Sequence, residues 1–178
     1  AGKNGALIKG ADILEKISKC DTVVFDKTGT LSTGKLTVCN IFSLNDDWEK
    51  EAILSLAASI EEHYFHPIAE AVVNAAKSCN NCRHFHHSEV EFIVAHGVGA
   101  FVDNKKVVIG SRHFLEDDEN IEFNISNEII ENELKLGRTL LYIGYDGKLL
   151  GIISMVDELR NNANQTISKL RDLGIKNV

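Results

Sequence analysis

The run Thr22-Val23-Val24-Phe25 leads straight into Asp26-Lys27-Thr28-Gly29-Thr30, and this junction constrains the fold more than any other stretch. Strand-forming residues with no polar alternation predict a short strand buried on both faces, as in a parallel sheet. Open α/β sheets gather ligands at the C-terminal ends of their strands, which is where Asp26 stands. Gly29 can take backbone angles closed to other residues and lets the chain pass near a ligand. A carboxylate so placed can attack phosphorus and form an aspartyl phosphate. The plainer reading is a turn capped by Asp26, because Asp, Thr and Gly are all common turn residues.

The rest of the chain arranges itself around that strand. Spacing predicts a helix from about Ala11 to Lys19, and Leu36 to Phe42 is a second β-like run. Asp46 and Asp47 are candidate caps for a helix whose apolar stripe is Ile53, Leu56, Ala57 and Ile60. Pro67 suits the first position of a further helix, with Ile68, Ala71, Val72, Ala75 and Ala76 as its apolar side. Short strands follow at Val90 to Val94, Ala100 to Val102 and Lys106 to Ile109, the last two joined through Asp103-Asn104. A helix from about Ile125 to Leu136 carries Ile125, Ile129, Ile130 and Leu134, and Gly137 closes it. Asp146-Gly147 signals a hairpin between Thr139–Tyr145 and Lys148–Met155. An amphipathic helix from Glu158 to Leu173, with Leu159, Ala163, Ile167 and Leu170 on one face, leads to a strand starting at Ile175. The order predicts an α/β core, residues 1–35 and 151–178, split by an inserted α+β domain at residues 36–150.

The net charge of −7 argues against a nucleic-acid surface. No apolar run approaches the ~20 residues needed to cross a bilayer. Ala1-Gly2-Lys3-Asn4-Gly5 is no signal peptide and lacks an initiator Met, as expected of an excised piece. Four cysteines in a chain of 178 residues do not make a disulfide scaffold. Cys20 and Cys39, flanking strands, are expected as small buried hydrophobes, and the natural setting is a reducing cytosol.

D-K-T-G-T followed by Leu31 is the phosphorylation signature of P-type ATPases, and the chain resembles the heavy-metal-transporting branch nearly end to end. The resemblance runs from Lys9-Gly10 through His66-Pro67, Gly97-Val98-Gly99 and Gly110-Ser111 to Asp157-Glu158-Leu159-Arg160. It implies a partial haloacid dehalogenase-like, Rossmann-like core interrupted by a nucleotide-binding domain with an antiparallel sheet. Asp26 would be the nucleophile toward the γ-phosphate of ATP. Lys27 and Thr30 would neighbour the phosphoryl oxygens, and Mg²⁺ would rest on the Asp26 carboxylate and the Thr28 carbonyl. Glu61 and His66 would receive adenine, His66 offering a flat face for stacking. Gly97 and Gly99 would let the backbone approach the nucleotide, and Ser111 stands where the family has Asn. Phe65 replaces the acidic residue the family carries before its histidine.

The same resemblance implies that ATP or ADP is the ligand and that this is a cytoplasmic part of an integral membrane protein. Its partners would be the transmembrane and actuator domains of the parent chain, with the transported cation bound elsewhere. Phosphatases of the superfamily place a second Asp two residues after the nucleophile. Thr28 occupies that position and cannot serve as acid and base near neutral pH. A T-G-D string, a phosphate-facing lysine and a G-D-G-x-N-D loop are expected of the complete family site. None occurs in this sequence, so this stretch alone is expected to bind nucleotide without turnover.

One cluster stands outside these motifs. Cys79, Cys82, His84, His86 and His87 are five metal-ligand side chains within nine residues, a set zinc or copper would accept. It supports an alternative reading as a metal-binding or sensing module. A variable surface loop and a soluble phosphatase are the other two readings.

Overall fold

The computed structural model describes Gly5 and residues 7–94, 96–123 and 126–178, with only the backbone at Thr28. Residues 97–110 and 139–155 are rich in apolar residues, and these stretches form most of a six-stranded sheet whose successive side chains face opposite sides. Its strands are β1 (Ser32–Ser43), β2 (Glu91–Ile93), β3 (Gly97–Val102), β4 (Lys105–Gly110), β5 (Thr139–Tyr145) and β6 (Lys148–Leu159), in the order β1-β6-β5-β4-β3-β2. The pairs from β2 to β6 are antiparallel. Asp103 and Asn104, at φ 50° and 62°, turn β3 into β4, and Asp146 and Gly147, at 54° and 74°, turn β5 into β6. Both are the turns that the residue types dictate.

The alternation divides the core. Val98, Ala100, Val107, Ile109, Leu141, Ile143, Ile153 and Met155 pack with α2 (Lys50–Glu61) and α3 (Pro67–Lys77). Val108, Tyr142 and Ile152 pack with Phe114, Leu115, Ile121, Phe123 and Ile130, the last from α4 (Asn127–Lys135). The expected stripe of α2 is fully buried at Ile53, Leu56, Ala57 and Ile60. Each of its large aliphatic side chains contributes roughly 1.5–3 kcal/mol. Pro67 occupies the first turn of α3 as expected, with Ala69, Ala71 and Val72 buried and Ile68, Ala75 and Ala76 half-buried.

The chain forms two compact units, one of Lys35–Glu158 and one of Ala1–Gly34 with Leu159–Val178. The second contains α1 (Ala11–Ser18) and α5 (Ala163–Asp172).

Several expectations change. Asp46 and Asp47 do not cap α2; Glu49 precedes it, and the Asp47 amide instead bonds the Asn45 side chain in a turn. Glu158 and Leu159 end β6 rather than begin a helix, because sheet pairing carries the strand past the point where helical spacing starts. Leu134 is 55% exposed, and Ile125 lies outside the described residues. The strand expected at Thr22–Phe25 is reduced to one parallel bridge, Thr22 to Asn177, with Val24 90% exposed. The strand expected from Ile175 amounts to the other half of that bridge. A parallel strand is stabilised by neighbours on both sides and layers on both faces, and one bridge supplies neither. Cys20 and Cys39 are exposed, not buried: each thiol donates to a main-chain carbonyl, that of Thr22 at 2.9 Å and of Ser154 at 3.2 Å.

Candidate functional site

Asp26 sits in extended backbone and is followed by a single π-helical turn, Lys27–Leu31, in which Gly29 takes φ 79°. The Ser32 side chain closes the turn from within. Its hydroxyl donates to the Lys27 carbonyl at 3.0 Å and accepts the Gly29 amide at 3.3 Å. Arg160 holds the turn from far along the chain. Its Nη2 donates to the Gly29 carbonyl at 2.8 Å, its Nε to Thr30 at 3.0 Å, and its own amide to Leu31 at 2.9 Å. Three successive carbonyls are thereby fixed, while Asp26, Lys27 and Thr30 stay exposed. Carboxylate and carbonyl oxygens are the hard donors that Mg²⁺ takes, so the Asp26 carboxylate and Thr28 carbonyl fit that ion. Arg160 was legible only as part of D-E-L-R, with no sign of its bonding partners.

The second site is a cleft of about 240 Å³ in the unit of Lys35–Glu158. Apolar walls come from Ile68, Ile93, Val98, Ile109, Leu140 and Leu141, and polar groups from Glu61, His66, His96 and Ser111. It is smaller than the ~300–1,000 Å³ typical of a site for a whole drug-sized ligand. An aromatic wall flanks it. Tyr64 and His66 stack with centroids 5.8 Å apart and planes at 6°, and Phe92 lies 4.5 Å from Tyr64. The His66 Nδ1 also accepts the Ile68 amide at 3.3 Å, capping α3. That bond fixes the ring and leaves Nε2 as the protonated nitrogen of the neutral form.

Glu61, at the end of α2, is 5% exposed and has no side-chain hydrogen-bond partner among the described residues. Burial away from water pushes its carboxyl up from 4.5 to about 7. Gly97 and Gly110 face each other across β3 and β4. A Cβ on Gly97 would lie 2.1 Å from the Ile109 carbonyl oxygen, and one on Gly110 would lie 2.3 Å from that of His96. Neither position admits a side chain, and the cleft floor is bare backbone as a result. Ser111 lines the cleft, but its hydroxyl is engaged by the Phe114 amide at 3.2 Å.

The cleft thus collects Glu61, His66, Gly97 and Ser111. Gly99 lies outside its lining, and a Cβ there would meet nothing closer than 3.8 Å. Tyr64, Phe92, His96 and Gly110 line the cleft without having been singled out for it. Tyr64 was findable from its place in the corner with His66. Phe92 and His96 are brought in by strand pairing.

The cysteine and histidine cluster separates into two. Cys79 and Cys82 are joined in a disulfide, so they offer no thiolates and the ligand set expected from sequence does not form. A bridge between residues three apart closes only its own turn. His84 and His87 instead approach Glu62.

Residues 20–178 match the model of the haloacid dehalogenase-like hydrolases. The chain is 36% identical over 176 residues to a zinc-exporting P-type ATPase of Mycobacterium marinum, an alignment covering 99% of this chain and 24% of that one. Among solved structures it is similar to a zinc-transporting PIB-type ATPase in an E2.Pi state (31% identity, TM-score 0.79), covering 100% of this chain and 28% of the other. It is also similar to the N-domain of HMA8, a copper-transporting P-type ATPase (27% identity, TM-score 0.56), covering 67% of this chain and 99% of that domain. The chain therefore belongs to the haloacid dehalogenase-like hydrolases, and over nearly its whole length it is similar to heavy-metal-transporting P-type ATPases. It spans about a quarter of the length of the curated relative it matches. Among the described residues, no helix is long and apolar enough to cross a membrane.

Proposed function

We propose that this chain is the nucleotide-binding domain and part of the phosphorylation domain of an ATP-driven pump for a transition-metal ion. It would face the cytoplasm, with the membrane helices, the actuator domain and the transported cation's site elsewhere in the parent protein. The observation that carries the reading is the Glu61–His66 cleft: a buried carboxyl without a partner and an imidazole with a fixed plane, beside a glycine pair that keeps the floor bare. An adenine ring stacked on His66 would give Glu61 the amino group it lacks as a partner. An adenine in a cleft of this size would leave its phosphates outside it, for a nucleophile to act on.

Asp26 is that nucleophile in this proposal. A carboxylate oxygen of Asp26 forms a bond to the γ-phosphorus, the bond from that phosphorus to the bridging oxygen breaks, and ADP leaves with the electron pair. Mg²⁺, when bound, neutralises phosphate charge. Lys27 and Thr30 line the same turn, and Arg160 keeps the turn's carbonyls in place. Thr28 stands where a phosphatase would have its general acid, which favours a phosphoenzyme that persists. Any transition metal held by this chain is assigned to His84 and His87 rather than to the paired cysteines.

The test is titration of ATP and ADP by calorimetry. His66→Gln keeps a polar group but removes the stacking face, worth roughly 1–3 kcal/mol per base. Affinity should fall by about tenfold. Unchanged affinity in His66→Gln would refute the adenine assignment.

A further inference from the structure

We propose that Glu62, His63, His84 and His87 form a binding site for a divalent transition-metal ion of the zinc type, separate from the nucleotide cleft and from Asp26. The site joins the end of α2 to the segment that follows α3. Glu62 Oε1 lies 2.9 Å from His84 Nε2 and 3.8 Å from His63 Nε2, and the Nε2 atoms of His63 and His87 are 3.3 Å apart. One ligand atom from each of Glu62, His84 and His87 falls within 4.8 Å of the others. Ligands about 2.0–2.1 Å from a tetrahedral zinc ion stand about 3.3 Å from each other, a spacing that the Glu62–His84 and His63–His87 pairs approach.

The second ring nitrogen of His87 supports this assignment. Its Nδ1 donates to the Ser88 carbonyl at 2.7 Å, which in the neutral ring leaves the lone pair on Nε2, the atom that faces the cluster. Metal-binding histidines are oriented in this way, with one nitrogen pinned by a main-chain carbonyl and the other directed at the ion. Three imidazoles and one carboxylate are borderline donors that favour Zn²⁺, Co²⁺ or Ni²⁺ over Mg²⁺ or Ca²⁺. Glu62, His63 and His84 are exposed, so an ion enters from solvent without opening the fold. Cys79 and Cys82 face each other rather than the histidines, and His86 falls outside the group. The inference does not rest on the nucleotide reading.

Zn²⁺ alone is the probe, added to the dialysed chain with its disulfide intact and in competition with a chromophoric chelator. One ion per chain is expected. A hundredfold excess over the dissociation constant should raise Tm by roughly 5–10 °C. Co²⁺ should give the intense visible bands of a tetrahedral site. His84→Gln combined with His87→Gln should weaken binding at least a hundredfold. His86→Gln, and Cys79→Ser with Cys82→Ser, should leave it within threefold. All these positions are at least partly exposed, and the metal-free melting curves report whether each variant folds. No uptake, uptake that survives the double histidine replacement, or uptake lost with the cysteines would overturn the site. His63→Gln costing less than threefold would remove His63 from the ligand set and overturn the four-ligand assignment.

Discussion

Asp26 through Leu31 occupy one unbroken turn at the surface, whereas the cleft takes its walls from residues 61–68, 92–98, 109–111 and 140–141. In the turn, the chemistry-bearing residues are adjacent in sequence, and a distant residue, Arg160, only steadies the carbonyls between them. In the cleft no two neighbouring residues suffice, and each wall depends on strand pairing or helix packing. A contiguous site tolerates loose surroundings because its geometry is local. A distributed site is only as good as the core that assembles it.

The largest effect is expected where the cleft has no slack. Gly97→Val would drive a side chain into the Ile109 carbonyl, 2.1 Å from the new Cβ. It should destabilise the unit of Lys35–Glu158 by more than about 3 kcal/mol in urea unfolding. Gly99→Ala, with 3.8 Å of room, should cost well under 1 kcal/mol. Equal costs at the two glycines would break the claim that the Gly97–Gly110 contact builds the floor.

A smaller effect should follow from Glu61, and only in one range of pH. Burial raises its carboxyl from 4.5 to about 7, so the folded chain keeps a proton that the unfolded chain releases. Stability is then lost as pH rises from about 4.5 through about 7, and the penalty is complete above that. The shift corresponds to at most roughly 3 kcal/mol. Glu61→Gln should match the parent below pH 4.5 and exceed its stability above pH 7. Parallel stability profiles for the two proteins across this range would show that the burial of Glu61 carries no such penalty.

The smallest effect belongs to the Asp26 turn. Arg160→Met removes two side-chain hydrogen bonds at an exposed position, worth about 1 kcal/mol together after solvent competition. Amide exchange at residues 29–32 should quicken about fivefold, with no change in nucleotide affinity at the cleft. A loss of nucleotide affinity in this variant would tie the two sites together and sharpen the comparison in the opposite direction.

Where a residue's own backbone preference sets the structure, the sequence was enough. Asp103-Asn104 and Asp146-Gly147 make their hairpins, Pro67 opens α3, Gly137 closes α4 at φ 70°, and Ile53, Leu56 and Ile60 point into the core. D-K-T-G-T pointed to Asp26 as a candidate nucleophile because its chemistry and its turn share one string. Tertiary structure decided the rest. Periodicity started a helix at Glu158 where sheet pairing keeps a strand, and the apolar run at Val23–Phe25 stays largely unpaired. The Cys79–Cys82 bond, the gathering of His84 and His87 on Glu62, the reach of Arg160 and the loss of water around Glu61 all join or enclose groups that sequence order leaves apart. Local rules act through dihedral angles that each residue carries with it. Burial and long-range contact depend on what the folded chain brings alongside, and no single stretch contains that information.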